Sequence, residues 1–73
     1  MSGQHNDFKD GDRLGKFVLL HDRDGALQAL SAGAVMAACE TDSGTVLLLP
    51  GGRMVGVSRP SRTVLSWLKL GKR

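Results

Sequence analysis

Seventy-three residues make one domain near the size at which a single core only just outweighs chain entropy, and with 4% aromatics that core must be built from Val, Leu, Ala and Met. All seven acidic residues lie in positions 1–42 beside four basic ones, whereas positions 43–73 hold six basic residues and no acid, so one end of the domain should attract anionic partners. The single Cys39 excludes an intramolecular disulfide and multi-cysteine metal motifs, and no apolar run nears the roughly 20 residues needed to span a bilayer, which leads us to expect a cytoplasmic protein without membrane insertion.

Residues 1–15 mix Gly, Asp, Asn, Ser and Gln with one Phe and show no periodicity, which predicts a flexible arm followed by a β-rich domain over 16–73. From Lys16 onward, breaks containing Gly recur about every ten residues: Asp24-Gly25, Ala32-Gly33, Ser43-Gly44 and Gly51-Gly52. Short strands at that spacing predict a small antiparallel structure. The segments between the breaks are KFVLLH (16–21), ALQAL (26–30), VMAACE (35–40), TVLLL (45–49) and RMVGVS (53–58). Asp24-Gly25 and Gly51-Gly52 carry the chemistry of tight turns, so the first two strands and the last two should pair as hairpins. Residues 29–39 are rich enough in Ala for a helix, but Gly33 and the β-branched Val35 favour a turn followed by a strand.

Pro60 suits the first turn of a helix and Gly71 the position just past its end, which predicts a helix over 60–70. Val64, Trp67 and Leu68 then share an inward face, and Arg62, Ser66, Lys69 and Arg73 line the opposite one. The expected fold is thus α+β and mostly β: about five short antiparallel strands, as a meander or small barrel, and one C-terminal helix. Phe17–Leu20 and Val46–Leu49 are apolar at successive positions, so both faces of the sheet want cover. One helix covers one face; the other calls for barrel closure or a second subunit.

Catalysis is not expected. His21, Asp22 and Asp24 read as hairpin chemistry, and their spacing, with that of Asp10 and Asp12, does not match a calcium loop. Cys39 sits in an apolar segment, as a small buried hydrophobe would. PGGR (50–53) lacks the Lys-Ser/Thr pair and the following helix of a phosphate loop. No cofactor fingerprint is visible, and neither a cofactor nor a metal is expected. The candidate partner surface is the basic set Arg53, Arg59, Arg62, Lys69 and Arg73, which could meet an acidic protein or, alternatively, nucleic-acid phosphates. With only Phe8, Phe17 and Trp67 as aromatics, single-strand reading by base stacking is disfavoured.

The pieces FVLLHDRDG, SAGAV, TDSGTVLLLPGG and VSRPSRTVLSWL give a layout that resembles the FlbD-like family of small flagellar-associated proteins. The chain departs from that family's pattern at Ser31-Ala32, in place of Asn-Pro, and at Arg59-Pro60, in place of Glu-Ser. Its later part is more faintly similar to LytTR-type DNA-binding domains. The composite expectation is a non-enzymatic, self-associating binding or adaptor module that regulates another protein. The alternatives are a nucleic-acid-binding regulator and a phage- or plasmid-encoded inhibitor of a host protein.

Overall fold

A computed structural model describes residues 8–68. The order of elements is β1 (Asp12–Leu14), β2 (Phe17–His21), β3 (Leu27–Ser31), β4 (Ala37–Thr41), β5 (Gly44–Leu49), β6 (Arg53–Val57) and α1 (Ser61–Leu68). The strands form two antiparallel three-stranded meanders, β1-β2-β3 and β4-β5-β6. The expected β-rich fold with a terminal helix is therefore present, as are the hairpins β2–β3 and β5–β6. The segment rich in Ala divides as the Gly33 and Val35 argument requires, into a short 3-10 turn at Ala32–Ala34 and strand β4.

The expected count of about five strands is close: six are present, because Asp12–Leu14, inside the expected arm, pair with Phe17–Leu19 as an added edge strand. Of the two arrangements expected, meander or small barrel, the sheets are open meanders and do not close into a barrel. Between Ser31 and Ala37 the chain runs through the 3-10 turn, so β3 does not pair with β4, and a backbone bond from Arg23 N to Gly56 O (2.9 Å) joins the β2–β3 turn to β6. The expected arm and helix ends at residues 1–7 and 69–70 lie outside the described residues.

Alternation along the strands decides what is buried. On β5, Thr45, Leu47 and Leu49 point inward and are buried, while Val46 and Leu48 point outward and are half-buried. Their cross-strand partners Val55 and Val57 on β6 join them, as do Val18, Leu20 and Leu30 from the first sheet and Val64 and Leu68 from α1, in one cluster. The two sheets thus share a single aliphatic core, with Leu47 at 0% exposure. Thr45, also fully buried, satisfies its hydroxyl by donating to the carbonyl of Arg59 (2.8 Å), which holds the β6–α1 connection against β5.

The helix packs against β4 and β5 and is tied to each sheet by a charge of suitable sign. Its first turn contains no acid, but Ser61 Oγ donates to Glu40 Oε1 of β4, which brings a carboxylate to the positive end of the helix dipole. In its last described turn, Arg13 of β1 donates to the carbonyls of Trp67 (3.2 Å) and Leu68 (2.9 Å). Carbonyls near a helix C-terminus lack intrahelical partners, and a guanidinium satisfies two of them at once. Trp67 packs against the core as its helical position predicts, though it stays half-exposed.

Candidate functional site

The β5–β6 turn and β6 place Arg53 and Arg59 far apart. Arg53 opens β6, paired with Leu49, whereas Arg59 follows its other end; at about 3.3 Å per residue the strand alone separates them by more than ~13 Å. Arg62 lies on the exposed side of the first turn of α1, close in sequence to Arg59. Lys69 and Arg73 lie outside the described residues. Of the predicted basic set, then, Arg59 and Arg62 gather at the start of the helix and Arg53 stands apart.

Arg59 is partly committed to the fold. Its Nη2 lies 3.6 Å from Asp10 Oδ2, and its guanidinium stacks 5.8 Å from the centre of the Trp67 ring. Asp10 is the hub of this arrangement: its Oδ1 accepts from the backbone N–H of His21 (3.0 Å) and lies 2.9 Å from His21 Nδ1. Burial pushes the Asp10 carboxyl upward, but the hydrogen bonds from the His21 side chain and backbone, with the charges of His21 and Arg59, outweigh it and hold the pKa below the usual 3.8. Gly11 completes the contact. With φ of 96° and a Trp67 ring carbon where a Cβ would sit (Cδ1, 2.6 Å), it lets the backbone lie flat against the indole.

This hub was not legible in the sequence, because Asp10 falls in a stretch composed like an unstructured arm and meets its partners only across 11 and 49 residues of chain. The signal that could have found it is Gly11, a glycine between two acids with no apolar neighbour to turn toward. The turn reading of HDRDG stands: Asp22 Oδ1 accepts from the backbone N–H groups of Asp24 and Ala26, both at 2.9 Å, and Gln28 donates to its Oδ2. Those bonds hold the Asp22 carboxyl below its usual value, led by the bond from Gln28. PGGR forms the β5–β6 turn, where Gly51 (φ 81°) and Gly52 (φ 77°) adopt left-handed backbone.

Cys39 requires a correction. It is exposed, since on β4 it pairs with Val46 on the side of the sheet away from the core; the inward alternates are Ala38 and Glu40. The apolar character of its segment comes from Ala37 and Cys39 on the outward face and Ala38 on the inward one. Among the described residues no group of three His, Cys, Asp or Glu side chains could hold a metal ion, and no helix is long and apolar enough to cross a membrane. Compared with known proteins, the chain matches no protein-family model, no curated protein and no solved structure.

Proposed function

We propose that this chain is a non-enzymatic, self-associating adaptor that regulates another protein through a basic surface at the start of α1. The observation that carries the reading is the pairing pattern of its cations. Ion pairs among the described residues involve Arg59 but neither Arg53 nor Arg62, so Arg62, exposed on the first turn of α1, is left to meet an outside carboxylate. The acid-free stretch 43–73 adds to the field there. A protein partner is favoured over nucleic acid because Arg53 and Arg59 sit at opposite ends of β6, whereas a phosphate backbone rewards cations set along one track. The resemblance in layout to FlbD-like proteins agrees with a small regulatory role and adds no site residue.

The test is a double substitution, Arg62→Glu with Lys69→Glu, in cells producing a tagged chain. The parent should retain its protein partner at moderate salt, and the variant should lose it while melting at the parent's temperature. Titrating DNA and RNA into the parent at two salt concentrations decides the alternative. Tight binding that collapses with salt, with no protein retained, would replace the adaptor reading by the nucleic-acid one.

A further inference from the structure

We infer that β4 is the strand through which two copies of this chain join, edge to edge and antiparallel about Cys39, so that their sheets β4-β5-β6 run on as one. The inference rests on the self-association in the reading above and is independent of its basic surface.

β4 is an open edge of its sheet. The helix packs on β4 and β5, yet Ala37, Cys39, Glu40 and Thr41 all stay exposed and only Ala38 is half-buried. The phase of the ladder tells which backbone groups are unspent. The Leu48 carbonyl turns to β4, where it accepts from Met36 N–H (2.8 Å), so Ala37 opposite Leu48, and with it Cys39 and Thr41 at steps of two, direct their backbone groups to β5. Ala38 and Glu40 direct theirs to the open edge, and among the described residues no side chain or neighbouring segment bonds to them. Unpaired amides and carbonyls on an edge are a template for another strand, and β4 carries neither Lys nor Pro to guard them.

The other edges are poorer. On β6 the Gly56 carbonyl is taken by Arg23 N–H (2.9 Å), and the Arg23 guanidinium lies against Gly56. β1 has three residues, of which Asp12 and Arg13 are charged. β3 is flanked by the β5–β6 turn, with which it shares a cleft lined by Leu30, Leu49 and Pro50.

Register identifies the occupant. Laid antiparallel on itself about Cys39, β4 sets Ala38 opposite Glu40 of the second copy, so the unspent groups of each strand meet those of the other. Glu40 then faces a methyl group, and its carboxylate is already bonded to Ser61 of its own chain. Centring the pair on Glu40 would oppose two carboxylates, and centring it on Ala38 would run Thr41 past the end of the second strand. A two-fold axis requires a strand that complements itself, and β4 does so in phase, face and charge. Cys39 lies on that axis in a non-hydrogen-bonded pair, with Cα atoms about 4.5 Å apart, inside the range of about 4.4–6.8 Å that a disulfide spans.

The lone thiol tests the geometry. A soluble disulfide oxidant, which takes up the two electrons and two protons that the thiols release, should join two parent chains rapidly through Cys39. In a Cys39→Ser background the thiol is moved along the same exposed face by Ala37→Cys or Thr41→Cys. The two thiols then lie four residues apart along the strands, about 13 Å, and joining should slow about tenfold or more. Cys39→Ser alone should still pass reversibly, in sedimentation, between the mass of the 7.8 kDa chain and twice that mass, since the backbone holds the pair. Ala38→Pro deletes an N–H that serves the open edge alone, so it should keep the fold and abolish the dimer. A monomer at every concentration, equal joining rates at the three positions, or a dimer that survives Ala38→Pro would each overturn the inference. So would a monomer that loses its protein partner on Ala38→Pro, which gives the edge to a strand of that partner. The joining rates decide the matter even where the proline variant unfolds. Arg62→Glu should leave the dimer unchanged, so loss of partner binding and loss of the dimer are separable failures.

Discussion

Replacing Gly11 by Ala tests the docking of the N-terminal segment on α1. Gly11 has φ of 96°, and the added methyl would sit 2.6 Å from Cδ1 and 2.9 Å from Cγ of Trp67, inside any tolerable contact. Left-handed backbone costs a residue with a side chain about 1–2 kcal/mol. The ring must also move, and since full loss of a buried Trp costs about 3–5 kcal/mol, partial loss of this half-buried one should add about 1–2. The total of about 2–4 kcal/mol is large beside the roughly 4–11 kcal/mol expected for a domain of 73 residues. At about 4–8 °C per kcal/mol, the melting temperature should fall by at least ~8 °C in a thermal scan followed by circular dichroism. Gly33→Ala is the internal control. That glycine has open space around it and no positive φ, so its substitution should leave the melt unchanged or raise it slightly. If Gly11→Ala melts within a degree or two of the parent, residues 9–14 do not lie on Trp67 and the Asp10 hub is misassigned.

Further consequences follow from the same contacts. Leu47→Ala, at the centre of the core with 0% exposure, should cost about 2–5 kcal/mol and leave little folded protein at 37 °C, measurable by denaturant titration. Thr45→Val keeps the shape but leaves the Arg59 carbonyl without its donor, and the same titration should register about 1–2 kcal/mol of lost stability. Because folding lowers the Asp10 pKa, its carboxylate contributes full stability above the usual 3.8 and loses that contribution as the pH falls through the lowered value. Asp10→Asn should therefore flatten the acid limb of the stability profile below about pH 4, and an unchanged limb would mean that Asp10 is not paired.

The positions of β2 to β6 and of the helix were legible because they depend on short-range chemistry, whereas β1 lay hidden in a stretch composed like an arm. Asp24-Gly25 and Gly51-Gly52 can hardly be anything but turns, Pro60 can begin a helix but not continue a central strand, and Val64 with Leu68 marks the helical face that is buried. The inward or outward sense of Cys39 was not legible, since Ala37, Ala38 and Cys39 are all small and apolar and only the register against β5 tells one face from the other. The double apolar character of β5 could be read as a demand for cover, but not its outcome. The inward side is met by the other sheet and α1, and the outward side stays exposed at Met36 and Met54.

By itself the sequence determined an aliphatic β-rich scaffold, its hairpins and its terminal helix, since each is specified by residues within a few positions of one another. It also determined the separation of charge along the chain. Only the tertiary structure decided which charges remain available. Arg13 goes to the far end of the helix, Glu40 to its near end, and Arg59 to Asp10, each across 21 or more residues of chain. Such pairings depend on how two open sheets lean on one helix, and a geometry of that range leaves no mark on local composition.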